Sequence, residues 1–151
     1  MLLTVPTAEY PLHLNTTIMR NNIILYDGSC AFCNAFIRRI IHLDLVHFQL
    51  CDQQSRQFRP LAMAYSLPQA GGPGPGTIYL LQDGKVYTKT AAIGRILEGC
   101  RQPYSFLGWL LTIIPSAISN PVYDWIARRR HKLMTTHACP VPTAAMKERV
   151  I

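Results

Sequence analysis

Acidic residues are scarce in this chain. Eight Asp and Glu stand against fifteen Lys and Arg, a formal net charge of +7 over 151 residues. That sign suits a nucleic acid or an anionic lipid surface as partner. The basic run Arg128–Lys132 lacks the interleaved aromatics on which bases stack, so no nucleic-acid partner is expected. A solvated helix end, its cations matching the C-terminal dipole, accounts for the run. Long hydrophobic runs are missing too. The most apolar stretch, Tyr104–Ile114, falls well short of the about 20 residues that a membrane span needs. Residues 1–22 hold neither the basic start and apolar core of a secretory signal nor an Arg-rich transit pattern. The five cysteines are odd in number and irregular in spacing, unlike a secreted disulfide framework. A reducing, cytoplasmic compartment is the expectation, where disulfides are transient and catalytic.

Other signatures are also lacking. The glycine-rich Ala70–Gly76 precedes a strand instead of following one, and its prolines remove N–H donors that an anion cradle needs. No Ser/His/Asp set assembles from spacing, and no internal repeat is visible. His42 and His47 are not spaced to join a Cys pair around zinc, so no metal is expected.

What is present is a globular composition, 49% hydrophobic and 15% charged, long enough for one packed domain. The organising stretch is Ile23–Ile41. A short β-type run, Ile23–Tyr26, meets the turn dipeptide Asp27-Gly28. Cys30 and Cys33 follow, and then Phe36, Ile37, Ile40 and Ile41 fall at helical spacing. The pattern predicts strand, turn and helix, with both thiols in the first helical turn. Unpaired N–H groups and the helix dipole favour a thiolate there. Cys30, more N-terminal, is expected to be the more exposed and the attacking sulfur, with Cys33 resolving. A C-x-x-C in such a setting reads as a redox pair, though half a zinc site or a non-catalytic module that holds a metal or partner stays open.

Further along, Val46–Cys51 alternates as a half-buried strand, parallel to the first if the crossover is right-handed. Ser55 is a candidate N-cap for a helix over Arg56–Ser66. Thr77–Leu81 is a strand, Asp83-Gly84 a hairpin turn and Val86–Thr88 the return. Thr90 is a candidate cap for the helix Ala91–Leu97, with Gly99 after its end. The order β-α-β-α-β-β-α predicts an α/β, thioredoxin-like fold: a mixed four-stranded sheet with flanking helices. A C-terminal helical extension follows. Tyr104–Ile114 is expected to be buried against the sheet, with a weak membrane-surface contact as the alternative. Asn120 and Pro121 are placed to open a helix over Val122–Leu133. The organisation is thus an arm over residues 1–22, a thioredoxin-like domain over 23–103, a helical extension over 104–133 packed on it, and an irregular tail over 134–151.

The residues LYDGSCAFCN, with Asp27, Cys30 and Cys33, resemble the DCC family of thiol–disulfide oxidoreductases, named for D-x-x-C-x-x-C. The resemblance continues through Thr77–Leu81, the Asp83-Gly84 turn, Thr90-Ala91 and Ile114-Pro115. It ends in Tyr123-Asp124-Trp125-Ile126-Ala127 and Arg130, so it spans about residues 22–133. Arg129 departs from the pattern, where asparagine is expected. The resemblance implies dithiol–disulfide exchange with no cofactor beyond a Cys30–Cys33 disulfide. Protein or small-molecule disulfides are the implied substrates, and an external thiol the reductant. It implies structural roles for Tyr123, Trp125 and Arg130, Arg130 either reaching back to the Asp27 loop or solvating a helix end. Pro75 and Thr77 stand near the place where thioredoxin-like enzymes carry a cis-proline facing substrate. Tyr26, Ser29 and Phe32, around the pair, are expected to face substrate too. Asp27 is either a general base for Cys33 or the acceptor of an Asx-turn. Cys51 and Cys100 are expected to be buried thiols, and for Cys139 a regulatory or intermolecular role is the minority reading.

Overall fold

The structure, a computed structural model, describes residues 22–68, 77–133 and 143–151, with the helical backbone alone over 130–133. Among the described residues, ten elements follow one another: β1 (Ile23–Tyr26), α1 (Ala31–Leu43), β2 (Gln49–Asp52), α2 (Phe58–Ala64), β3 (Tyr79–Gln82), β4 (Lys85–Thr88), α3 (Lys89–Glu98), α4 (Tyr104–Ile113), α5 (Ser116–Leu133) and α6 (Ala144–Lys147). The strands form one sheet in the order β2-β1-β3-β4. β1 runs parallel to β2, with Leu25 opposite Cys51 and Tyr26 opposite Asp52. It runs antiparallel to β3, with Leu25 opposite Tyr79. The fold is the mixed α/β arrangement of the thioredoxin-like class, with an added C-terminal helical part.

All four residues of β1 are buried because both of its faces are covered. Ile24 and Tyr26 join Leu50 and Leu80 under Ile37 and Ile40 of α1 and Ile96 of α3. Ile23 and Leu25 join Cys51 and Leu81 over Phe58 and Leu61 of α2. This central strand ends at the turn that carries the cysteines.

Local chemistry sets several boundaries. Asp83 (φ +50°) and Gly84 (φ +73°) make the two-residue hairpin that Asp-Gly favours. β2 starts at Gln49, later than the alternation at Val46 suggests, because His47 adopts φ +51° and breaks extended backbone. Gln57, not Ser55, stands at the N-cap of α2, and Pro60 lies within its first turn, where a missing N–H costs little. Thr88, not Thr90, stands before α3; Thr90 is buried inside the first turn.

Three expectations for the C-terminal part are corrected. α4 is not buried against the sheet. Gly108 is its one buried residue, seated where an added Cβ would meet the backbone of α3, 2.6 Å from the Gly94 carbonyl oxygen and 2.8 Å from Leu97 C. The helix docks by glycine-to-backbone contact, with Tyr104 and Leu111 partly buried on the core, and leaves most of its large apolar side chains outside. Phe106, Leu107, Trp109, Leu110 and Ile113 are all exposed, Trp109 by 51% and Ile113 by 56%. α5 starts at Ser116, with the Pro115 carbonyl accepting from the N–H groups of Ile118 and Ser119. Pro121 is therefore inside the helix, and Asn120 is no cap. Residues 143–151, expected to be irregular, form α6 and a one-residue parallel bridge from Val150 to Leu50 on the outer edge of β2.

Cys51 and Cys100 are buried, as expected. Burial, with Asp44 nearby, pushes the Cys100 thiol from 9.0 up to about 11. The folded protein keeps this proton where the unfolded chain has begun to lose it. Stability that is whole below about pH 9 should therefore drain away as the pH rises towards about 11. Cys51 and Tyr26 are also raised by burial and act in the same direction. Urea midpoints measured across this range should fall with pH, and Cys100→Ala should flatten the slope.

Candidate active site

The turn after β1 positions the two thiols. Cys30 is the N-cap residue of α1, with extended backbone (φ −91°, ψ 115°). Its Sγ accepts the backbone N–H of Cys33 at 3.5 Å, as a serine or aspartate oxygen does at this position. α1 brings no acidic residue in its first turn. The exposure order is opposite to expectation. Cys30 is only 2% exposed, while Cys33 is partly exposed. The reason is local: the N-cap side chain folds back over the first turn, beneath its own helix start.

Asp27 makes the contacts of an Asx-turn. Its Oδ1 accepts from the Ser29 N–H at 3.0 Å, from Ser29 Oγ at 2.6 Å and from Gln54 Nε2 at 3.3 Å. Ser29 and Phe32 are exposed beside the pair. Tyr26 is buried in the core, so its side chain is not turned to solvent as expected of a substrate-facing residue. Thr77 is partly exposed just before β3, and Pro75 lies outside the described residues, as does Cys139.

Residues that local patterns did not single out brace this loop. Buried Asn34, one turn beyond Cys30, donates through Nδ2 to the carbonyls of Gly28 (2.7 Å) and Cys30 (3.1 Å). Asp52 ends β2 and accepts from the N–H groups of Gly28 (3.1 Å) and Gln54 (2.9 Å). A side chain at Gly28 would collide with the Asp52 carboxylate, so the turn needs glycine for close approach. Gln53 donates through Nε2 to the carbonyl of Thr77 at 2.6 Å and to that of Leu25 at 3.4 Å. It thereby ties the end of β1 to the segment entering β3. One signal for Asp52 and Gln53 was available: they sit at the C-terminal end of a parallel strand, where sites gather in α/β sheets.

The late segment also reaches this edge. Tyr123 Oη accepts the Ile78 N–H at 3.2 Å, steadying the entry to β3 from outside. Asp124 pairs with Lys89 at 2.9 Å. Trp125 is exposed, and the Arg129 guanidinium lies 4.4 Å from its ring centroid, so the departure at position 129 supplies a cation–π partner. Arg130 is in α5, but its side chain is outside the described set. Among the described residues, no three His, Cys, Asp or Glu side chains converge as a metal site would require.

Comparison with known proteins places this geometry in context. The family model for DCC1-like thiol-disulfide oxidoreductase matches residues 24–136. An uncharacterized protein of Bacillus subtilis (strain 168), YuxK, is 28% identical over 137 residues, covering 87% of this chain and 94% of that protein. No solved structure matches significantly.

Proposed function

The chain belongs to the DCC1-like thiol-disulfide oxidoreductase family, and on that premise we propose that Cys30 and Cys33 carry out dithiol–disulfide exchange. The observation that carries the reading is the Cys33 N–H donated to Cys30 Sγ at the N-cap of α1. That bond and the helix dipole both favour negative charge on Cys30. In the reductive direction, the Cys30 thiolate attacks one sulfur of a substrate disulfide. The substrate S–S bond breaks, and its other sulfur leaves as a thiolate that takes up a proton. Cys33 then loses its proton and attacks Cys30 in the mixed disulfide. The second substrate thiol leaves, and a Cys30–Cys33 disulfide remains. The substrate gains two electrons and the pair loses two. An external dithiol restores the reduced state by the same steps in reverse, so no cofactor enters. Ser29 and Phe32 border the pair, and these two with Thr77 contact the incoming substrate. Asp27 holds the loop through its turn, with Asn34, Asp52 and Gln53 bracing it.

Equilibration in glutathione buffers of graded potential tests this. Trapping of free thiols should reveal one two-electron transition, abolished by Cys30→Ser and equally by Cys33→Ser. The measured potential decides between reductase and oxidase, since about 30 mV shifts the two-electron equilibrium tenfold. A purified protein that holds stoichiometric Zn²⁺ through both sulfurs, and shows no such transition, would assign the pair to metal binding instead.

A further inference from the structure

α4 is an inverted surface helix. A helix on a globular protein ordinarily buries its apolar stripe and shows water its polar face. Here the inward contacts are Gly108 and the partly buried Tyr104 and Leu111, and the outward face carries the five large apolar side chains described above. α4 contains no charged residue. The face does not stop at Pro115. Ile118 (64% exposed), Val122, Trp125 and Ile126 of α5 are exposed as well. An open groove of about 300 Å³ between α3, α4 and α5 is lined by Ile93, Leu111, Ile114, Val122 and Ile126, among others. Contiguous exposed apolar surface on this scale marks an interaction site.

We propose that the α4–α5 face docks this protein on an anionic phospholipid surface, lying in the interface without crossing it. No single described helix is long and apolar enough to cross a membrane; α4 and residues 116–129 together are apolar enough, but they bend by 119° at Pro115. A bent, uncharged apolar face buries to the depth of the headgroup boundary. Charge selects the occupant. Residues 104–133 carry one acid, Asp124, already paired with Lys89, against Arg128, Arg129, Arg130 and Lys132. Arg128 and Arg129 are exposed on the helix that continues the apolar face. Cations beside an apolar face fit anionic lipid, whereas a second copy of the chain would bring a surface of the same sign. Both tryptophans of the chain, Trp109 and Trp125, stand on this face, and the indole ring favours the membrane–water boundary.

Because the chain's two tryptophans both stand here, tryptophan fluorescence, excited selectively over the seven tyrosines, reports on this face. Adding vesicles of phosphatidylcholine and phosphatidylglycerol to the full chain should shift the emission to the blue and co-sediment the protein. Vesicles of phosphatidylcholine alone should do much less, and high salt should reverse the effect. Arg128→Gln with Arg129→Gln should weaken binding on the order of tenfold or more. Leu107→Glu with Ile113→Glu, both at exposed positions, should abolish it while leaving the circular dichroism spectrum and the Cys30–Cys33 potential unchanged. An emission maximum that does not move with anionic vesicles would overturn the proposal. So would light scattering that shows a dimer dissociated by the Glu variants without vesicle binding, which would make the face a self-association surface.

Discussion

Cys33→Ser is expected to accumulate a stable mixed disulfide between Cys30 and a substrate sulfur, with turnover essentially abolished. Cys30→Ser should lose turnover equally but trap nothing. Two properties of the site pull in different directions here. Cys30 receives the Cys33 N–H and sits at the helix N-cap, which stabilises its thiolate. Yet Cys30 is the buried sulfur and Cys33 the partly exposed one. Exchange rates depend on both thiolate fraction and access. We expect thiolate stabilisation to win, because Cys30 Sγ holds the Cys33 N–H at the N-cap, where the helix dipole favours its negative charge. Non-reducing electrophoresis after challenge with a disulfide substrate reads the result. An adduct on Cys33 in the Cys30→Ser protein, with none in Cys33→Ser, would reverse the two roles.

Arg149→Ala is expected to lower the folding free energy by about 3 kcal/mol, the low end of the range for breaking a buried ion pair. Asp44 follows the end of α1, and its side chain is only 1% exposed. Its Oδ2 accepts from Arg149 Nη1 at 2.6 Å and from the Phe48 N–H at 2.9 Å. Arg149 also reaches the Ile41 carbonyl at 3.4 Å. Removing the guanidinium leaves a carboxylate away from water with one backbone donor. The Arg149 side chain is 20% exposed, so water partly offsets the loss and the low end applies. Asp44→Asn in the same background should recover much of the loss, since an amide keeps the Phe48 bond without the charge. Urea unfolding of the two single variants and the double variant measures this, and a loss below about 1 kcal/mol would mean the pair behaves as a surface one.

The parts legible in the sequence were those with a local physical cause. Ile23–Tyr26 followed by Asp27-Gly28 could be read as strand and turn because apolar β-type residues and turn formers sit side by side. Asp83-Gly84 could be read as a hairpin because few other pairs accept two positive φ values. Cys33 could be placed in the first turn of α1 because the apolar spacing begins right behind it, while Cys30 precedes that turn as the N-cap. What escaped had no local cause. The apolar character of Tyr104–Ile113 shows that a helix forms but not which way it faces. The contact that decides is made by Gly108 on the α3 backbone, and glycine leaves no mark in a hydrophobic pattern. Asp52 and Gln53 act on residues 24 positions away, through Gly28 and Thr77, and no periodicity encodes such a bond. The relative burial of Cys30 and Cys33 turns on one side chain folding back over its own helix start, which spacing alone does not report.

The bridge at Val150 decides where this sheet could grow. Arg149 O accepts from the Leu50 N–H, and the Ile151 N–H donates to Leu50 O, so the outer margin of β2 already has neighbours for its central hydrogen-bonding groups. Among the described residues, β4 forms the opposite margin, where an incoming foreign strand would add. Lys85 opens that strand, with its charge in water, and a lysine at an unpaired margin discourages strand addition. One end of the sheet is thus closed by residues 149–151 and the other guarded by charge.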